Sequence, residues 1–218
     1  VFDPSLVLYL PLHGLDGASF ASKDACGHLC TVVGALWTPQ GRYFDGNDDT
    51  VLSPINDTIF NLTQAFTLIA WYNPSAAPAT AKRLLSVEGD AGGNQGICIN
   101  VNQKQNGQGE AGAAAINFYG TDWRLAGASS LVSVGTWACL AGVYDRANLI
   151  LYLNGIAQDT RANTEAVTQT SNIRARLASH PTLGLNCAGI IGDAFVYNRA
   201  LSSLEVQRVY LATKWRYQ

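Results

Sequence analysis

Short apolar runs fill most of this chain and leave few folds open to it. Ten stand out: LVLYLPL (6–12), LCTVVGALW (29–37), GRYFDG (41–46), FTLIAWYNP (66–74), RLLSVEG (83–89), GICINVN (96–102), AAAINFYG (113–120), TWACLAGVYD (136–145), LILYLNG (149–155) and GIIGDAFVYN (189–198). They are rich in Val, Ile, Leu and aromatics and are bounded by Gly, Asn, Asp and Pro, the pattern of β-strands separated by turns. FTLIAW is apolar at both parities, which predicts a strand covered on both faces. Asn154-Gly155 predicts a two-residue type I′ hairpin, because these residues tolerate positive φ. The polar stretches 103–112 and 158–173 read as loops. One helix is expected, in ALSSLEVQRVYLATK. Ser202 and Glu205 have capping-box spacing there, and Leu201, Leu204 and Tyr210 or Leu211 form its candidate packing face.

The chain has 218 residues, 48% of them hydrophobic, enough for one full-sized core. No linker or internal repeat divides it. Residues 1–218 are therefore expected to form a single all-β domain, a two-sheet antiparallel sandwich with one short C-terminal helix. Only 14% of residues are charged and the net charge is −2, so no basic field exists to hold nucleic acid or an anionic membrane. No apolar run approaches the ~18 residues of a membrane span. The start VFDPSLVLYL lacks the basic head and cleavage site of a signal peptide, and with no Met at position 1 the chain reads as a processed or excised module.

GRYFDGNDDTV (41–51) places three aspartates within five positions. Asp45-Gly46 is expected to shape the turn leaving GRYF, with the Asp side chain bonded to nearby amides. Asn47, Asp48 and Asp49 extend that polar corner, and acids this close need donors or a cation. Catalysis is a poorer reading. A retaining glycosidase needs two carboxyls ~5–5.5 Å apart. The chain has only four Glu (Glu88, Glu110, Glu165, Glu205), and Glu88-Gly-Asp90 begins an alternating acidic pattern that Gly92 does not continue. The three histidines, His13, His28 and His180, are not near a nucleophile motif, and Asn117-Phe-Tyr119 lacks the His or Gln partners a lyase would need. No enzymatic activity is expected.

Cys98 and Cys139 lie in apolar runs and read as small buried hydrophobes. Cys26-Gly-His28-Leu-Cys30 leaves three readings open: loop thiols, a local disulfide, or a zinc site short of a second ligand pair. Asn56-Asp-Thr58 and Asn61-Leu-Thr63 fit the glycosylation sequon, a pattern common by chance.

Four stretches, in order, resemble the laminin G-like jelly rolls of the concanavalin A-like lectin/glucanase superfamily: SKDACGHLCTVVGALW (22–37), GRYFDGNDDTV (41–51), FTLIAWYNP (66–74) followed by GTWACLAGVYD…LYLNG (135–155), and IIGDAFVYNRALSSLEV (190–206). The last is the most specific. The resemblance implies a curved jelly-roll sandwich of roughly a dozen strands. It also implies one structural Ca²⁺ joining the early Asp loop to the last strand, through Asp24 and Asp193 with Gly46 as a carbonyl donor. The chain departs from the pattern at Gly192-Asp193, where the family usually has two acids, and at Ala138-Cys139, where histidines often follow the tryptophan.

For a ligand, an aromatic face with planar amides and Arg is the expected sugar-binding chemistry. Tyr119, Trp123 and Arg124, in a polar turn between two strands, are the candidate shallow glycan site. Trp71 and Trp137 read as packing residues. The function expected is a non-catalytic module for carbohydrate or glycoconjugate, part of a larger secreted, adhesin or phage-tail-type protein at an extracellular, cell or virion surface. The alternatives are a structural or oligomerisation module, and a glycosidase or lyase.

Overall fold

The computed structural model describes residues 3–55, 58–91, 93, 95–182 and 184–218. Asn56 of the first sequon lies outside them. Sixteen strands run in chain order: β1 (Leu6–Pro11), β2 (Ser19–Ala21), β3 (Leu29–Val33), β4 (Leu36–Thr38), β5 (Gly41–Asp45), β6 (Thr50–Leu52), β7 (Phe66–Pro74), β8 (Lys82–Gly89), β9 (Ile97–Gln103), β10 (Gly109–Tyr119), β11 (Trp123–Ala128), β12 (Ala138–Tyr144), β13 (Asn148–Leu153), β14 (Ile156–Ala162), β15 (Ile173–Leu177) and β16 (Ala188–Tyr197). The helix α1 (Ser203–Thr213) follows, and a 3₁₀ turn over Lys214–Arg216 ends the ordered elements.

The strands form two eight-stranded sheets. The first has the order β14-β13-β12-β7-β16-β5-β4, with β1 also paired to β16. β5 takes the stretch Ala188–Ile191 of β16, and β1 takes Asp193–Tyr197 of the same strand. The second sheet runs β11-β10-β9-β8-β15-β6-β3-β2. All the strand pairs are antiparallel, as a jelly-roll sandwich requires. Between the sheets lies one continuous core that includes Leu8, Phe44, Phe66, Leu68, Leu85, Ile99, Ile116, Phe118 and Leu140.

Strands β2, β6, β11 and β15 were not legible as apolar runs, because they are three to six residues long or carry Arg at alternate positions, as in IRARL, while the run LCTVVGALW divides into β3 and β4. Both expected loops shrink. β10 begins at Gly109, and β14 occupies 156–162 as a largely exposed edge strand, so its polar composition is that of a solvated ladder edge. The Asn154-Gly155 hairpin forms as expected, with φ of 51° and 79°.

The first sheet is buried on both faces. Ile69, Trp71, Cys139, Ala141, Val143, Tyr152 and Phe195 point away from the main core into a second cluster, closed by Leu201, Val206 and Tyr217. This is why FTLIAW is apolar at both parities. The capping box forms as expected: Glu205 N–H donates to the Ser202 hydroxyl, and the Glu205 carboxylate accepts from Ser202 N–H. Of the expected packing face, Leu201 and Tyr210 meet the sheet and the other two do not. Leu204 and Leu211 are exposed, while Val206, Val209, Tyr210 and Thr213 face the sheet. The Trp71 indole N–H donates to the Thr213 hydroxyl at 2.8 Å, which fixes the helix rotation.

Tyr217 holds the end of the chain in place. Its ring stacks on Trp71 at 4.4 Å and meets Trp137 at 4.5 Å, and its hydroxyl accepts the Asp193 N–H at 2.7 Å. Tyr217→Ala is expected to cost about 3–5 kcal/mol, as for other buried aromatics. Urea unfolding followed by tryptophan fluorescence measures this; a loss under 1 kcal/mol would mean the C-terminus contributes little.

Candidate functional site

Strand alternation decides what the second sheet presents. On β8, β9, β10 and β15, Leu85, Val87, Ile97, Ile99, Ala114, Ile116, Phe118, Ile173, Ala175 and Leu177 point into the core. The intervening positions put Ser86, Glu88, Cys98, Asn100, Asn117, Arg174 and Arg176 on the outer face. Register aligns Arg176 with Ser86, Ser86 with Cys98, and Cys98 with Asn117, so these side chains form rows across the sheet. Most are themselves buried: Glu88 is 1% exposed, Asn100 3%, Asn117 4% and Arg83 4%.

Polar groups this deep must be paired. Arg83 donates to Glu88 Oε2 at 3.1 Å, to Asn100 Oδ1 at 3.0 Å and to the Cys98 sulfur at 2.6 Å. Ser86 donates to the other Glu88 oxygen at 2.7 Å. Burial pushes the Cys98 thiol up to about 11, so it remains a neutral acceptor. Gln103 Oε1 accepts from both Asn100 and Asn117, at 2.8 and 2.7 Å. His180 Nδ1 accepts the Thr182 N–H, which puts the ring proton on Nε2, 3.8 Å from Glu88. Beside this network Asp90 receives both Arg174 and Arg176.

Above it opens a cavity of about 400 Å³, walled by Arg83, Asn100, Gln103, Asn117, Trp123 and His180, with Leu125 and Leu185 at its apolar side. Two buried atoms in its lining, Arg83 Nε and Asn117 Oδ1, have no hydrogen-bond partner.

Of the residues expected to bind a glycan, Trp123 lines this cavity, with the Arg83 guanidinium 5.8 Å from its ring centroid. Tyr119 is Trp123's cross-strand partner and meets its ring edge-on at 5.5 Å. Arg124 does not join them. The residue after Trp123 points to the opposite face, where Arg124 pairs with Glu165. The expectation that Asn117 lacks Gln or His neighbours is also corrected: Gln103 and His180 come from a strand end and a loop far away in sequence. Arg83, Glu88, Asn100, Gln103 and His180 were missed, although polar residues at period two inside strand runs were the available signal.

The calcium residues meet separate partners. Asp24 accepts amides from Tyr9, Cys26 and Gly27, at 2.9, 2.8 and 3.2 Å. Gly46, at φ 85°, packs beside Ala188 in the turn after β5. Asp193 has no exposed surface, receives Arg216 at 2.7 Å and lies 3.5 Å from His13. A hard dication there would have to displace the guanidinium at a site closed to water, so a six- to eight-oxygen Ca²⁺ cage does not fit Asp24, Gly46 and Asp193.

GRYFDGNDDTV is a self-bonded turn. Asp45 accepts the Asn47 amide at 2.8 Å, and Asp49 accepts the Asp45 amide at 2.8 Å. Gly34, at φ 72°, leaves room for the Asp49 carboxylate: a Cβ there would sit 1.7 Å from Asp49 Oδ1. The carboxylates of Asp45, Asp48 and Asp49 come within 4.8 Å of one another.

The sequence profile of the concanavalin A-like lectin/glucanases superfamily matches residues 45–207. The chain belongs to this superfamily. Among solved structures, this superfamily member is similar to the sialidase of Trypanosoma rangeli, at TM-score 0.72 and 17% identity over 98% of this chain and 34% of that one. It is similar to the botulinum neurotoxin serotype G binding domain, at TM-score 0.72 and 13% identity over 96% of this chain and 51% of that one. It also resembles domain 4 of AbnA, a GH43 extracellular arabinanase of Geobacillus stearothermophilus, solved with arabinotriose, at TM-score 0.68 and 16% identity over 94% of this chain and 98% of that domain. The chain thus spans about a third of the sialidase and half of the neurotoxin binding domain. No curated protein matches it by sequence.

Burial lowers the pKa of His180, and Arg83 and Arg176 add to the effect against the pull of Glu88. Burial lowers His13 likewise, opposed by Asp193. In the unfolded chain both bind protons near the ordinary value of about 6.5. The unfolded state therefore holds more protons just below that pH, and stability falls as pH drops through it. His180→Gln is expected to flatten part of this slope between about pH 6.5 and 5, with His13 responsible for the remainder. Urea unfolding across that range measures it, and an unchanged slope would contradict a neutral buried His180.

Proposed function

We propose that this domain is a non-catalytic recognition module that binds carbohydrate or a glycoconjugate in the outer-face cavity. The observation carrying the proposal is the pairing of an aromatic wall, Trp123, with three planar amides, Asn100, Gln103 and Asn117, around about 400 Å³. A pyranose or furanose offers a C–H face that stacks on an aromatic ring and hydroxyls that pair with amides. A hydroxyl both donates and accepts, and it would meet the unpartnered Asn117 Oδ1 and Arg83 Nε together. The arabinotriose complex of the AbnA domain supports the same class of ligand on a similar fold.

Hydrolysis is less well supported. The carboxylates on this face are committed, Glu88 to Arg83 and Ser86 and Asp90 to two arginines. A glycosidase needs one carboxyl free to give a proton and another to attack or activate water. The module would serve as a targeting part of a larger protein acting at an extracellular, cell or virion surface.

Trp123→Ala is expected to weaken glycan binding about tenfold or more, equivalent to about 1.4 kcal/mol, without lowering the melting temperature. Calorimetry with oligosaccharides selected on a glycan array, arabino-oligosaccharides included, measures the loss. Unchanged affinity would move the site elsewhere. No binding by the wild-type domain would leave the structural-module reading.

A further inference from the structure

Outside the cavity, a further group of chemistry-bearing side chains converges, distinct from the Asp45–Asp49 turn. It lies in the loop between β2 and β3. Ser22 N–H donates to His28 O at 2.9 Å, and His28 N–H donates to the Ser22 hydroxyl at 2.8 Å, which closes the loop base. Lys23 N–H bonds Tyr9 O at 2.8 Å, and Tyr9 N–H returns to Asp24 Oδ2 at 2.9 Å, which fastens the loop to β1. Gly27 makes the turn at φ 62°. Within this frame a carboxylate oxygen of Asp24, the Cys26 sulfur and a ring nitrogen of His28 all lie within 4.8 Å of one another.

A second observation concerns the imidazole. His28 Nε2 lies 2.9 Å from the carbonyl oxygen of Val7. A carbonyl only accepts, so Nε2 carries the proton, and the neutral ring keeps its lone pair on Nδ1. Donation of one ring N–H to a backbone carbonyl is how proteins orient a metal-binding histidine. Phe60, with its ring 5.3 Å away, packs against the same imidazole. Cys26 is exposed, while Cys30 is buried in the core and is not part of the group.

We propose that Asp24, Cys26 and His28 form a Zn²⁺-type metal site with three protein ligands and one open position. The donor set decides the ion. Thiolate and imidazole suit Zn²⁺ or Co²⁺, whereas Ca²⁺ takes oxygen alone. Tetrahedral Zn²⁺ would draw the three atoms to roughly 3.3–3.7 Å apart, within reach of small side-chain rotations on a fixed loop. The three backbone amides already on Asp24 hold its carboxylate in place. On binding, the Cys26 S–H proton leaves to solvent and a metal–sulfur bond replaces it. The site is independent of the glycan cavity.

The test is Co²⁺ titration of chelator-stripped protein, followed by Zn²⁺ displacement. The expected result is one Co²⁺ per chain, with a sulfur-to-cobalt charge-transfer band and visible tetrahedral bands, about one proton released, and affinity unaffected by excess Ca²⁺. Cys26→Ser, at an exposed position that should fold normally, is expected to abolish the charge-transfer band and weaken binding more than tenfold. His28→Gln is expected to weaken it comparably. No charge-transfer band in the wild-type protein, its survival in Cys26→Ser, or equal competition by Ca²⁺ would each overturn the proposal.

Discussion

The Arg83–Glu88 pair is the interaction on which the functional face depends. Both groups are almost fully buried on the outer side of the second sheet, where an unpaired charge would cost several kcal/mol. The pair is tolerable because its remaining capacity is taken up by Ser86, Asn100 and the neutral Cys98 thiol. That satisfaction fixes rotamers. A buried network this largely engaged, with Arg83 Nε and Asn117 Oδ1 left open, holds the amides facing the cavity in place.

The two sheets solve the same problem in opposite ways. Each has an outer face that the chain covers. On the first sheet, α1 and Tyr217 close over Trp71, Val143 and Phe195, and the face becomes a second hydrophobic core. On the second, Gly93, Gly107, His180 and Leu185 line the cavity beside the strands. A volume remains there whose walls mix apolar and polar groups. The half-covered face leaves room for the recognition site proposed above, and the covered face provides stability.

Much of this was legible in the sequence, and the illegible parts share a cause. The sandwich, the capping box, the Asn-Gly hairpin and the packing of Trp71 follow from local patterns that tertiary contacts reinforce. Trp123, which lines the cavity, was legible as a candidate because a turn flanked by aromatics is a local signal. The rest of the cavity was not. Gln103 ends one strand, Asn117 lies in the next, and His180 comes from a loop sixty-odd positions on; only the register brings them together. Arg124 was assigned by adjacency to Trp123, and strand alternation sends neighbours to opposite faces. Likewise, Leu204 and Leu211 looked like a packing stripe, but the rotation fixed by the Trp71–Thr213 bond leaves them in solvent.

The resemblance implies a divalent ion that clips the early acidic loop to the last strand, and in this chain the cation beside Asp193 is an arginine. A buried carboxylate on β16 requires a positive partner, and a cation of any kind meets that electrostatic demand. Here the C-terminal segment supplies it: Arg216 reaches Asp193 while Tyr217, the next residue, accepts the Asp193 amide. The guanidinium also ties α1 and its 3₁₀ turn to the central strand, so one contact neutralises the acid and closes the outer core of the first sheet. Asp24, relieved of bridging, is left among backbone amides with Cys26 and His28. The same aspartate thereby moves from a set of hard oxygen donors to a mixed one, and its chemistry is set by its loop rather than by the distant strand.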